Sequence, residues 1–427
     1  MARSLRVRGS CIEQVKLAVK RNGYQSQAAL AVHLGRAKAT VDKFLNGKPV
    51  DFYVFEEFCS ELGLEWKEMA DLEVQNSQPA QEPNHWQQQT NALHSNVYIE
   101  RPPVETDCYR AISQPGILIR IKAPRQMGKT SLMFKILNQA TELGYAAVPL
   151  SFQLADRAVL SNQEKFLKWF CAALSNELGL NNQIDRHWDE ILSCNYNATT
   201  YVQNYILSQI PHPVVLALDN TDLVFEHAEI ATEFCKLLRN WHDQARRSDR
   251  TSQLWQRLRL IILHSTEVYR TLDINSSPLA GVGLVMELPD FNAAQVLALA
   301  QQYGVSWARL EISQLMQVVE GHPYLIQLAL QHMKHQASSL DQVLQTAHTE
   351  TGIYNNHLRQ LLGELEQTPE LLQVFKEVVM AEVPIPLKSA QAFKLHSMGL
   401  VKLEGNHAKP RCLLYRNYFQ EAFAVGV

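Results

Sequence analysis

From residue 97 to residue 288 short apolar runs alternate with amphipathic stretches. The runs lie at 117–121, 147–152, 213–218, 258–264 and 282–287, and helical patterns such as 163–178 and 228–247 separate most of them. Runs that are apolar throughout, rather than at every second position, suit strands of a parallel sheet covered on both faces. The pattern predicts an α/β fold with a five-stranded doubly wound parallel sheet. A ligand is expected at the C-terminal ends of its strands.

Beyond Pro289 the period becomes helical, with helices expected over 290–303 and 311–332. Gly321-His322-Pro323 interrupts the second, because proline lacks the N–H that a helix interior needs. Helices at 371–380 and 387–398 follow, then two short strands, 400–403 and 412–415, around a polar turn at 404–410. Helices succeeded by a β-hairpin suggest a winged helix, here serving as a packing lid.

At the other end, residues 10–63 carry helical patterns at 10–21, 26–34, 37–45 and 51–62, punctuated by Asn22-Gly23, Gly35 and Asn46-Gly47. The segment 26–47 resembles the helix-turn-helix of the phage repressor class. Ala31 permits a close helix crossing, Gly35 makes the turn, and Leu30, Leu34, Val41 and Leu45 are spaced as core. Residues 74–95 are rich in Gln, Asn and Pro and form a linker by composition. The expected organisation is a helix-turn-helix domain over 1–73, a flexible linker over 74–96 and a P-loop nucleotide-binding domain over 97–288. A helical lid over 289–365 and a winged-helix domain over 366–427 complete it.

Composition changes this picture in two places. The formal charge of the 427-residue chain is only -3, which says nothing for nucleic acid overall, but it is unevenly placed. Residues 1–50 hold ten Lys/Arg against Glu13 and Asp42, whereas 51–75 hold eight acids against Lys67. A basic face beside an acidic one suits a module that docks on phosphates. If helix 37–45 enters the major groove, Lys38, Thr40 and Lys43 project near its start, and Gln27 faces phosphate from a helix N-terminus. The alternative is a small bundle that binds another protein, its lysines simply solvated. Seven scattered cysteines with no C-x-x-C point to a reducing cytoplasm. No signal-peptide pattern or bilayer-length apolar run stands out, so a cytoplasmic protein with no membrane partner is expected.

The chemistry concentrates after the first run, in Ala123-Pro-Arg125-Gln126-Met127-Gly128-Lys129-Thr130-Ser131. A polyphosphate needs backbone N–H donors, a lysine to balance its charge and a hydroxyl to help hold Mg²⁺, and Gly128, Lys129 and Thr130 supply the end of that pattern. Ala123 occupies the place of the usual first glycine. Asp219, at the tip of the third run, can hold Mg²⁺ together with Thr130. Asn220 stands where hydrolytic members of this class carry glutamate; an amide can hold water but cannot take its proton. Hydrolysis is therefore expected to be slow or absent, unless Asp222 or Glu226 turns inward as base. Ser265, in His264-Ser-Thr-Glu, either senses the γ-phosphate or caps a helix. His322 and Pro323 either approach the nucleotide or form a plain turn.

Taken together, Tyr98-Ile-Glu-Arg101-Pro-Pro, the phosphate loop, Leu218-Asp219, His264-Ser-Thr-Glu, Gly321-His-Pro-Tyr and Cys412-Leu-Leu-Tyr-Arg-Asn-Tyr-Phe resemble a known family. It is the AAA-like ATPase domain of cyanobacterial signalling proteins, similar to the STAND class of signal-transduction NTPases. The resemblance implies an ATP/ADP switch held among sheet, lid and winged helix, with self-assembly on nucleotide exchange. It also implies that Tyr98 to Pro103, including Arg101, border the adenine and that His322 and Pro323 lie near the phosphates. The leading expectation is a nucleotide-controlled DNA-binding regulator, with a homo-oligomer and an unidentified protein partner as further expectations. An active ATPase motor and a non-hydrolysing scaffold are the alternatives.

Overall fold

The computed structural model describes residues 4–8, 11–22, 24, 26, 30–31, 34, 38–48, 50–62, 64, 69, 98–265, 279–335 and 339–425. They belong to two compact units, Met1–Gln88 and Gln89–Val427.

In the first unit, β1 (Ser4–Leu5), α1 (Ile12–Arg21), α2 (Lys38–Leu45), β2 (Val50–Asp51) and α3 (Phe52–Glu61) enclose a small core. Val15, Leu30, Ala31, Val41 and Leu45 are buried in it. Phe44 meets Phe55 and Phe58 edge-on, with ring centroids 5.2 and 4.9 Å away. The antiparallel pair β1–β2 sets Ser4 opposite Asp51 and Leu5 opposite Val50. Two-residue strands carry no period, so the pattern of apolar positions did not announce them.

The second unit is built on α4 (Val104–Ile112), β3 (Leu118–Lys122), α5 (Lys129–Glu142), β4 (Ala146–Ser151), α6 (Gln163–Glu177), β5 (Val214–Asp219), α7 (Ala228–Gln244), β6 (Leu258–His264) and β7 (Leu284–Glu287). The five strands form one parallel sheet in the order β4-β5-β6-β3-β7. Every residue of β5 and β6 is buried, which explains why both are apolar almost throughout. Because β6 separates β3 from β5, three strand tips, Lys122, His264 and Asp219, stand beside the loop that leaves β3.

The remainder comprises α8 (Ala293–Tyr303), α9 (Arg309–Val319), α10 (Pro323–His335), α11 (Asn355–Glu366), α12 (Pro369–Met380), β8 (Ile385–Pro386), α13 (Ser389–Ser397), β9 (Val401–Glu404), β10 (His407–Pro410) and α14 (Leu413–Val425). Asn292 and Gln295 form a reciprocal capping box at the start of α8. Gly321 separates α9 from α10; a Cβ there would lie 2.2 Å from the Phe291 carbonyl oxygen, so only glycine fits. A single hydrophobic core runs from Ile99 and Phe291 to Phe423, across the boundary expected at 365/366.

One expected strand is a helix. The hairpin partner of β9 is His407–Pro410, drawn from the stretch expected as a turn, and Cys412–Tyr415 instead leads into α14. Leu414, Tyr415, Tyr418, Phe419 and Phe423 are all buried, an i, i+4 stripe that outruns the four residues from which a strand was inferred. β8 adds a third antiparallel strand, in the order β8-β10-β9. Among the described residues no helix is long and apolar enough to cross a membrane.

Candidate functional site

The loop between β3 and α5 is wound tightly by two left-handed residues, Gln126 at φ 62° and Gly128 at φ 90°. Ala123, by contrast, does not have positive φ. Its methyl group is therefore accommodated where the usual pattern has glycine. Within the described residues the N–H groups of Gln126, Met127 and Gly128 make no hydrogen bond, and they lie just before the N-terminus of α5. Free donors at a helix start are what an anion requires.

Lys129 folds back over this loop, its Nζ donating to the carbonyls of Ala123 and Pro124, each at 2.9 Å. Burial pushes its ammonium below the usual lysine range, while Asp222 and Asp219 pull the other way. A phosphate arriving at the loop would offset that burial cost. Thr130 donates to Asp219 Oδ2 at 3.0 Å, joining the start of α5 to the tip of β5. Asp219 is buried, and desolvation raises its carboxyl, against the lowering effects of the Asn220 amide, Thr130 and Lys129. Among the described residues no group of three His, Cys, Asp or Glu could hold a metal. The Thr130–Asp219 pair fits a Mg²⁺ ion that takes its other ligands from phosphate and water.

Arg101 reaches the loop from the other side. It is almost wholly buried, donates from Nη1 to the Met127 carbonyl at 2.7 Å and lies over the Phe291 ring at 5.2 Å. Glu105 holds it in place by accepting from the Arg101 N–H at 2.8 Å and from the Tyr98 hydroxyl at 2.7 Å. Because a Cβ at residue 128 would lie 3.1 Å from Arg101 Nη2, the guanidinium and Gly128 are packed together.

The loop opens on a cavity of about 550 Å³. Arg101, Arg125, Gln126, Met127, Gly128, Lys129, Thr130, Ser131, Asp219, Asn220, Asp222 and Pro323 all border it, as does Glu226. Two sequence-proposed residues do not. Ser265 is buried beyond the rim, where its N–H and hydroxyl donate to Asp222 at 2.9 and 2.5 Å. His322 is buried at the head of α10 with Nδ1 unpartnered, and desolvation together with Arg411 pushes its imidazole well down. Its neighbour Pro323 does reach the cavity.

The carboxylate of Asp222 is thus engaged by Ser265, and Asn220 donates from Nδ2 to Ser151 Oγ at 3.1 Å. Glu226 is exposed at the cavity edge. Away from the phosphate loop the wall consists of Tyr98, Ile99, Phe291, Leu299, Tyr324 and Gln327. The last four come from the segment before α8, from α8 and from α10. The resemblance marked Tyr98, Ile99 and Tyr324, the last through Gly321-His-Pro-Tyr, whereas no local motif marked Phe291, Leu299 or Gln327, because a side chain in or beside a helix carries the same signature whether it faces core or ligand. On the N-terminal unit, Lys43 is exposed on α2, Thr40 is half-buried, Lys38 begins that helix, and Gln27 lies outside the described residues.

A parallel sheet, a left-handed loop running into a helix, and a Thr–Asp pair across adjacent elements define the P-loop ATPase class of fold. The model of the AAA-like domain family matches residues 86–421, and the chain belongs to that family. No curated protein matches the sequence. Among solved structures, the Walker-type ATPase PABY2304 of Pyrococcus abyssi is similar over 77% of this chain and 97% of its own, at 14% identity and TM-score 0.54. The ORC1 protein of Aeropyrum pernix in complex with DNA gives 12% identity and TM-score 0.36, covering 77% of this chain and 94% of that one. A STAND protein with a tetratricopeptide repeat sensor, PH0952 of Pyrococcus horikoshii, gives 14% identity and TM-score 0.32, covering 77% and 43%.

Proposed function

We propose that this protein is a nucleotide-controlled switch that holds ATP or ADP with Mg²⁺ at the loop 125–131. The observation that carries this is the set of uncommitted amides of Gln126, Met127 and Gly128 beside Lys129 and the Thr130–Asp219 pair. Amides and lysine bind the phosphates, Thr130 and Asp219 hold the ion, and the ion neutralises charge on the phosphate oxygens. Asn220 cannot act as base and Asp222 is tied to Ser265, so the bound triphosphate persists. Glu226, exposed at the rim, favours a second reading in which slow hydrolysis survives.

In this reading the units divide the labour. Residues 1–73 form a helix-turn-helix whose α2 contacts DNA, 289–365 are a helical lid, and 366–427 a winged helix that responds to nucleotide. Assembly with further copies, or with a protein partner, transmits the state.

Calorimetric titration with Mg·ADP tests the ligand. Lys129→Ala should lose nucleotide binding, since the neighbouring guanidiniums of Arg101 and Arg125 are engaged by the Met127 carbonyl and by Glu364; wild-type affinity in that variant would sink the reading. For DNA, binding of the full chain to duplex should weaken steeply with salt as counterions are released. Absence of salt-dependent affinity removes the DNA arm and leaves the nucleotide arm standing.

A further inference from the structure

A second cavity, of about 210 Å³, lies where the tip of β3 meets the C-terminal segments, and of its lining residues only Met127 also borders the nucleotide cavity. Its polar lining is Lys122 of β3, His396 of α13, Lys402 of β9, Arg411 beyond β10, and the carboxylates of Glu287 and Asp290. The nucleotide reading makes no use of this space. By formal count its cations are matched: Lys122 pairs with Glu287 at 3.4 Å, Arg411 with Asp290, and Lys402 with Asp290 and Glu320. Depth breaks the balance. The Arg411 side chain is only 4% exposed and that of Lys122 21%, whereas Glu287 is 70% exposed and Glu320 37%. Water screens the outer carboxylates far more than it screens a buried guanidinium.

His396 registers the result. Burial, then Arg411 and Lys122, push its imidazole down to about 4, and each of these cations acts on it more strongly than Glu287 or Asp290, which oppose them. The inside of the cavity is therefore electropositive. Two donors there also lack acceptors. Arg411 Nε is buried without a hydrogen-bond partner, and the His396 imidazole, which carries one N–H when neutral, makes no hydrogen bond within the described residues. A buried donor without an acceptor is uncommon and calls for one. The volume suits one tetrahedral oxyanion and a few waters, at about 30 Å³ for each water.

We propose that this cavity is a second anion site, which takes a small oxyanion such as phosphate or sulfate between Lys122, His396, Lys402 and Arg411. The two lysines supply charge, and Arg411 and His396 supply directed N–H groups. The site stands apart from the nucleotide reading, since none of these four residues borders the nucleotide cavity.

Nuclear magnetic resonance of the full chain with ¹³C-labelled histidine tests it, the His396 signal being assigned by its loss in His396→Gln. Sulfate added at constant pH, with chloride withdrawn to hold the ionic strength, should move that signal along a saturating curve, and inorganic phosphate should do the same. Lys122→Met should weaken the apparent affinity at least about fivefold, the scale of one charge-assisted hydrogen bond lost. Lys129→Ala, which disables the phosphate loop, should leave the curve unchanged. A curve that vanishes in Lys129→Ala would mean that the anion acts from the loop, and this overturns the inference. A shift that never saturates, or that folded Lys122→Met leaves intact, overturns it as well. Anomalous scattering from selenate soaked into crystals of the wild-type protein gives an answer that no variant's folding can obscure. A peak within hydrogen-bond reach of Arg411 and His396 supports the site, and a peak at the phosphate loop alone, or none, removes it. Neither outcome bears on whether Mg·ADP binds.

Discussion

Single residues in the second unit carry more than packing. His357 is buried, 2.7 Å from the Tyr415 hydroxyl through Nε2, and burial pushes its imidazole down to about 4. His264, buried at the tip of β6, is lowered to about 4 by the same cause. An unfolded histidine titrates near 6.5. Between that pH and about 4 the unfolded chain binds protons that the folded chain refuses, so stability falls as pH drops through the window and levels off below it. For His357 the loss should amount to about 3 kcal/mol. Urea unfolding followed from pH 7 to pH 4 should show the decline, and His357→Gln, which cannot titrate, should flatten part of it. An identical pH slope in that variant would mean that His357 is not one of the groups responsible.

At the scale of elements, α14 shows how tertiary context overrides a short pattern. Cys412-Leu-Leu-Tyr reads equally as strand or helix, and only the buried stripe through Tyr418, Phe419 and Phe423 decides for helix. Phe419 is fully buried and meets Phe375 of α12 edge-on at 4.9 Å. Truncating it leaves a cavity in the core shared by α12 and α14. Phe419→Ala should therefore cost about 3–5 kcal/mol in denaturant unfolding. A loss below about 1 kcal/mol would imply that the core collapses around the gap or that α14 docks elsewhere. The sheet was easier to foresee, since five apolar runs stand where β3 to β7 form. Their order was not foreseeable, because every buried parallel strand has the same texture.

Across the whole of the second unit, the phosphate loop is held by the C-terminal segments. Arg411, almost fully buried just beyond β10, lies 3.0 Å from Met127 Sδ and pairs with Asp290, which also pairs with Lys402 at 2.9 Å. Arg125 donates its N–H to the Ser397 carbonyl at 3.2 Å, and its guanidinium pairs with Glu364 at 2.6 Å. These links differ in weight. Arg411 is buried and Arg125 is exposed, so the first should matter far more than the second. Arg411→Ala should lower stability by about 3 kcal/mol and accelerate ADP release several-fold in stopped-flow displacement. Glu364→Gln should change stability by less than about 1 kcal/mol. Equal effects from the two would show that the loop is not restrained through Arg411.

Amino-acid order alone determined those features whose parts are neighbours in the chain. Ala123 to Ser131 spell out the loop and its helix start, and the run ending at Asp219 spells out a strand tip, because local sterics and one hydrogen-bond register suffice to shape them. Packing decided what distant segments do together. It turned Asp222 toward Ser265, withdrew Ser265 and His322 from the cavity, and brought Phe291, Leu299 and Gln327 to its far wall. The reason is that an apolar or polar side chain bears the same periodic mark whichever surface it meets, and only the crossing of helices over the sheet settles which surface that is.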